Sequence, residues 1–390
     1  MRKKANGGLH RQPWRGRRRP LKTASKVAPI GRQDGARPGW RYYRPSLLAL
    51  TAGGLLWAGG ALLGRFNNDA GRLLARGLSN FVAFFSRLIP LPLSELCLFG
   101  AVLLILWLLV GGAVKGRGRG FLRGLCRVGA LAIWTGALFT LLWGVHYQAP
   151  SLAQQLGLEV RPRSPEELTQ TAQILLAQAN ELADQVPRDD QGAFLPDDFD
   201  SITEQINRQY EALGRQYPLY QTSLPRRAKR SLLLRPLMPW VGIAGYYFPF
   251  TAEPTVGQTA PTHLAYNIAH ELAHSLGVAP EDEAGFSAYL ACIEAEDPGL
   301  RYSAALNGYI YASNALYRLS PELSSAVSSQ ANENLRRDIR ALNEYLRQFE
   351  GPAQQAGNKI NDVYLKSNNQ PAGVRSYGDM VDLLIAYTLK

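Results

Sequence analysis

The chain has 390 residues, 46% of them hydrophobic, and a formal net charge of +12. That length allows two or three structural units. The charge is local: residues 1–45 hold 14 Lys and Arg against one Asp, whereas residues 149–390 hold 20 Lys and Arg against 28 Asp and Glu, so the C-terminal part has no general attraction for phosphate backbones and no nucleic-acid partner is expected.

Residues 1–45 are rich in Arg, Lys, Gly and Pro and cannot bury enough apolar surface to order themselves, which predicts a disordered basic tail. Residues 46–64 are uncharged and 19 long, enough to cross a hydrocarbon core as a helix. Two further spans are expected at about 96–114 and 128–147, making 46–148 a membrane domain with the lipid bilayer as partner. Residues 65–92 join Arg65, Arg72, Arg76 and Arg87 to the apolar cluster Phe81-Val82-Ala83-Phe84-Phe85, the composition of an amphipathic interfacial segment. The tail and the 115–127 loop (Lys115, Arg117, Arg119, Arg123, Arg127) fall on one side of a three-span chain. By the positive-inside rule that side is the cytoplasm, leaving residues 149–390 outside it. Cys97, Cys126 and Cys292 have no disulfide or zinc-ribbon spacing and read as small apolar residues.

Past residue 150 the chain turns polar. Ser164-Pro165-Glu166-Glu167 is a capping box that opens a helix to about residue 186. The acidic stretch 189–200 can serve as a solvated loop or as a hard-cation site, though it lacks regular ligand spacing. A helix at 201–217 places Ile202, Ile206, Tyr210 and Leu213 on one side. The basic run Arg226-Arg227-Ala228-Lys229-Arg230 suits a solvated loop, lipid headgroups or an acidic partner. Residues 241–250 have strand composition, and Pro249 confines them to a sheet edge or a strand end; at an edge an extended peptide can add itself, or a hairpin can simply pack.

The chemistry concentrates at His270-Glu271-Leu272-Ala273-His274. One helical turn apart, the two imidazoles share a face and can converge on one cation, with Glu271 beside them to take a proton from attacking water. Ile268, Leu272 and Leu276 fall on the opposite face and can anchor the helix. Two imidazoles suit Zn²⁺ with a third ligand from a following helix opened by Pro280. Glu281, Asp282 and Glu283 are its candidates. The pattern Glu-Ala-x-Phe-x-x-Tyr-Leu resembles the third-ligand helix of gluzincin peptidases, which implies Glu283. Pro280 occupies the place of the third His of metzincins, so a three-His site is not expected.

Further on, a helix is expected at 302–319, then a long exposed one capped by Ser320-Pro321-Glu322 and ending near 351. A polar loop at 364–378 precedes a final short helix. Tyr377 is the candidate oxyanion donor, with Arg375 and Tyr364 as alternatives. Together the elements predict a mainly α fold, with three N-terminal transmembrane helices before a mostly helical, zincin-like (α+β) domain that carries a small β edge or hairpin.

Four stretches carry a wider resemblance: Ile89-Pro90-Leu91-Pro92-Leu93-Ser94-Glu95, Tyr247-Phe248-Pro249-Phe250-Thr251, residues 270–290 and residues 364–387. They resemble a family of uncharacterised bacterial membrane proteins, classed as a domain of unknown function, with three spans and a C-terminal gluzincin-like domain. The resemblance implies a multi-pass protein of the bacterial cytoplasmic membrane with a zinc-peptidase-like domain outside, and it implies no substrate. Gly285 departs from it, since Asn is expected after Glu-Ala. The leading expectation is a membrane-anchored zinc metalloendopeptidase acting on a peptide, a protein or a peptidoglycan cross-link. The alternative is a non-catalytic sensor or scaffold in which zinc staples two helices. An intramembrane protease is disfavoured because the His-Glu-x-x-His helix lies more than 100 residues past the last span.

Overall fold

The computed structural model describes residues 43–390 apart from 67, 369, 374 and 375, with the backbone alone described at 61–66, 68, 115–119 and 376–378. The expected basic tail lies outside the described residues up to residue 42, and the expected first span falls within a described helix, with the side chains of its residues 61–64 outside the description. Helix α1 spans Arg44–Phe66 and α2 spans Asn68–Ser86. The connector expected at the interface is thus a helix. Its buried side carries Ala75, Ser79, Ala83 and Ser86, while Phe81, Phe84 and Phe85 stand exposed.

Helix α3 runs from Leu93 to Leu142 without a break in its helical backbone, yet it is not straight. Eight residues of straight helix advance about 12 Å. Here Gly112 and Gly120 touch through their backbones, as do Gly124 and Leu108, and a Cβ at any of the three glycines would overlap a carbonyl. The chain therefore reverses between them into two arms, Leu93–Val114 and Gly120–Leu142, each long and apolar enough to cross a membrane. The expected loop at 115–127 is absorbed into this hairpin, and the apolar arm begins eight residues earlier than expected. Hydropathy alone does not register the missing side chains that permit the close reversal. The second arm packs on α1, where Trp134 donates to the Ala49 carbonyl at 3.0 Å.

A 3-10 turn, Gly144–Gln148, leads from the arm into the polar part, followed by α4 (Leu152–Leu156), α5 (Pro165–Ala183) and α6 (Phe199–Gln216). The capping box is present in full: the Ser164 hydroxyl accepts from Glu167 N–H and the Glu167 carboxylate accepts from Ser164 N–H. The predicted stripe Ile202, Ile206, Tyr210 and Leu213 is buried. The acidic stretch between these helices folds as a loop in which Asp189 accepts from Gln191 and Ala193 N–H, both at 2.9 Å.

Strands β1 (Lys229–Arg230), β2 (Gly245–Phe248) and β3 (Glu253–Val256) form a sheet of order β1-β3-β2, so β2 is an edge strand and Pro249 falls just past its end. The basic run before it is not a solvated loop. Arg226 and Lys229 are buried, Lys229 in an ion pair with the equally buried Glu253. Lys229 Nζ also donates to the Leu91 carbonyl at 2.9 Å, and Glu253 accepts from Ser94 N–H at 2.7 Å. Glu95 in turn accepts from the Leu232 and Leu233 amides. The start of α3 is thereby stapled to the sheet.

Helix α7 (Leu264–Ser275) is enclosed by α6, both longer strands, α8 (Glu281–Ile293) and α9 (Pro298–Leu319). The expected long helix after Ser320 is two, α10 (Pro321–Ser328) and α11 (Glu333–Arg347), because the Asn332 side chain caps a new start by accepting from Leu335 N–H. Helix α12 (Pro352–Ser367) includes Tyr364, expected in a loop, and α13 (Ser376–Thr388) packs on α8 and α9. Residues Tyr43–Lys390 form one compact unit.

Candidate metal centre

The predicted face of α7 is realised. Ile268, Leu272 and Leu276 are buried in the core, and the rings of His270 and His274 lie side by side, centroids 4.6 Å apart. Gly277 ends the helix with φ +95°, a backbone state costly for any other residue. An added Cβ there would also lie 2.8 Å from the His146 ring. The turn so formed brings the Val278 carbonyl to 2.7 Å from His274 Nδ1. A proton on Nδ1 donates to that carbonyl and leaves Nε2 facing the Glu281 carboxylate, the arrangement that orients metal-binding imidazoles.

The carboxylate that joins the histidines is Glu281, not the expected Glu283. Its Oε2 lies 3.1 Å from His270 Nε2 and 3.5 Å from His274 Nε2. Pro280 caps α8 rather than opening it, so Glu281 is the first helical residue. Two helical positions differ by about 200° in direction, so Glu283 faces away from α7. Its Oε1 accepts from Leu152 N–H at 2.8 Å, which anchors α8 to α4. Asp282 is likewise outside the cluster. Tyr377 and Arg375 have side chains outside the described residues. Gly285 packs under Tyr266 and Met380: an added Cβ would lie 2.9 Å from the Tyr266 hydroxyl, so no Asn fits without a shift.

Glu271 is buried, and its Oε2 has no hydrogen-bond partner among the described residues. Burial, opposed by the charge of His274, pushes its pKa up to about 8. Burial also disfavours charge on His274, but Glu281 and Glu271 outweigh it and push the imidazole up to about 9. Glu281 is held well below the usual carboxylate range, its burial overcome by both histidines. His270, dominated by burial, is shifted down. Without a cation, a proton on His274 balances the Glu281 charge.

Besides Tyr364, an alternative oxyanion donor from the sequence, the site gathers residues that the sequence did not single out for it. Trp143 stands edge-on to His274 at 5.6 Å between centroids and packs on Tyr247 of β2 at 5.0 Å. Gly245, the first residue of β2, lies against Glu271, and a Cβ there would be 2.6 Å from Oε1. The Tyr147 and Tyr364 hydroxyls are 3.4 Å apart, and both feel the charge of Glu281. The end of the second apolar arm thus meets the His-Glu-x-x-His helix, although the two are far apart in the chain.

Fold and site together define a mainly helical protein with two arms of membrane-crossing length and a nearly buried cluster of two imidazoles and a carboxylate able to hold a metal ion. The chain belongs to the family described as protein of unknown function (DUF3810), which matches residues 72–385. Comparison with curated proteins and with solved structures gives no match.

Proposed function

We propose that this protein is a membrane-anchored, zinc-dependent endopeptidase acting at the outer face of the bacterial cytoplasmic membrane. The observation that carries the reading is the convergence of His270 Nε2, His274 Nε2 and Glu281 Oε2 beside the orphaned carboxylate of Glu271. Ligand atoms around a tetrahedral zinc with bonds of about 2.0–2.1 Å stand about 3.3 Å apart, close to the 3.1 and 3.5 Å found here. Three protein ligands leave one position open, as in catalytic rather than stapling sites. A bound zinc ion supplies Lewis acidity for a carbonyl and a water.

The remaining steps fall to the chain itself. Glu271, with a pKa raised toward neutrality, is suited to take a proton from water and return it to the leaving amine. The open edge of β2 is suited to hold an extended peptide by main-chain hydrogen bonds, and Gly245 lets that strand pass close to Glu271. The Tyr147 and Tyr364 hydroxyls are donors available to a carbonyl oxygen that gains charge. The contact of Trp143 with His274 supports cleavage close to the membrane surface, and the two apolar arms support anchorage. The basic tail and the 115–119 reversal support a cytoplasmic N-terminus.

The test uses the full-length chain in detergent, with zinc measured by elemental analysis and hydrolysis by a quenched-peptide library. Glu271→Gln should keep its zinc and lose activity by about 10²–10⁴-fold, the usual contribution of a general base. Undiminished hydrolysis by that variant sinks the mechanism.

A further inference from the structure

The face of α2 turned toward the rest of the protein brings in more positive charge than its surroundings neutralise. Arg226, 5% exposed, reaches α2 from the strap that follows α6. It donates to the Ser79 carbonyl and hydroxyl, each at 3.3 Å, and to Asn80 Oδ1 at 2.6 Å, while its Nε is buried with no partner among the described residues. Arg76 donates from Nη2 alone to the Leu219 and Leu276 carbonyls. Among the described residues no carboxylate pairs with either arginine. Arg72, one turn away, pairs with the exposed Asp69, and its Nη1 is also buried without a partner. Burial first, then the neighbouring charges of Arg72 and Arg226, lower the pKa of Arg76.

Arg76 and Arg226 line one cleft of about 400 Å³, together with Gly77, Asn80, Thr222 and Ser223, and no acidic residue lines it. Guanidinium groups buried without a counter-charge are unfavourable, and a phosphate, whose oxygens match their forked donors, is the anion that relieves them best. We propose that this cleft binds the phosphate of a phospholipid headgroup. Arg76 and Arg226 take the phosphate oxygens, with the Thr222 and Ser223 hydroxyls as further donors. The lipid source follows from position. Leu73, at the mouth of the cleft, is 68% exposed, Phe81, Phe84 and Phe85 are exposed along the same helix, and α2 leads through a short turn into the first apolar arm. The inference does not depend on zinc or on peptide hydrolysis.

The test takes the full-length chain in detergent and measures binding of short-chain phosphatidylglycerol and, separately, of inorganic phosphate, by native mass spectrometry and thermal shift. The lipid should bind at least tenfold more tightly than inorganic phosphate and raise the melting temperature. Arg226→Gln should weaken lipid binding at least tenfold. Because loss of that buried side chain can also impair folding, Gly77→Leu provides a second variant. Gly77 lines the cleft and a Cβ there meets nothing within 4 Å, so a leucine at this position is placed to obstruct the cleft while both arginines are kept. Lipid binding by Gly77→Leu equal to that of the wild type overturns the proposal. So does inorganic phosphate binding as tightly as the lipid, which would assign the cleft to a free anion.

Discussion

Glu281 and His274 hold a proton between two elements that a metal ion must displace. His274 keeps that proton up to about pH 9 because Glu281 outweighs its burial. Zinc binding at pH 7 should therefore release about one proton from it, and apparent affinity should rise about tenfold per pH unit until His274 is neutral, levelling above about pH 9. Calorimetric titration in buffers of different ionisation enthalpy measures the proton count, and a count of zero contradicts the assignment. The two glutamates of α8 separate in the same way. Removing a metal ligand costs more than the about 10–100-fold typical of an outer partner, so Glu281→Gln should lower zinc affinity more than about 100-fold. Glu283→Gln should leave zinc affinity nearly unchanged and loosen the contact of α8 with Leu152. Chelator competition reads both. The histidines were legible in the sequence because i, i+4 spacing alone decides that they share a face. The carboxylate was not, because three consecutive acids in a first turn differ only in direction, and direction depends on which residue starts the helix.

Among the elements, the joint of α2, α3 and the sheet depends on the buried pair Lys229–Glu253, supported by Ser86, Leu91 and Ser94. Breaking one side of such a pair leaves an uncompensated charge, so Lys229→Met should destabilise the protein by about 3–5 kcal/mol, whereas Lys229→Met with Glu253→Met should cost less because no buried charge remains. Denaturant midpoints of the two variants in detergent compare them, and a double variant worse than the single one refutes the pairing. Helix α5 and edge strand β2 were readable from local signals, a capping box and a proline. The reversal between the two apolar arms was readable from the basic stretch that separates them, but the glycine contact that tightens it and the break between α10 and α11 were not. The first depends on absent side chains meeting across the hairpin, the second on a single Asn cap within a continuous polar pattern.

As a whole molecule, the chain does not divide where its hydropathy does. The helices before residue 149 enter the C-terminal part through Arg76 of α2 at the end of α7, Glu95 of the first arm at residues 231–233, and Trp143, just past the second arm, beside His274. A fragment of residues 149–390 loses all three joints and leaves Lys229, Glu253 and Arg226 without their partners from α2 and α3. It is expected not to fold cooperatively, as read by limited proteolysis and thermal melting. A compact, protease-resistant fragment would show the C-terminal part to be independent.

The sequence by itself determined what depends on neighbours within a few turns: apolar runs of membrane-crossing length, capped helices, an edge strand, and two histidines on one face. Only the tertiary structure decided which acid meets those histidines, that Trp143, Tyr147 and Gly245 close around them, and that a basic run is buried rather than solvated. Each of these outcomes joins side chains distant in the chain, and their meeting is set by how whole helices pack, which no local pattern encodes.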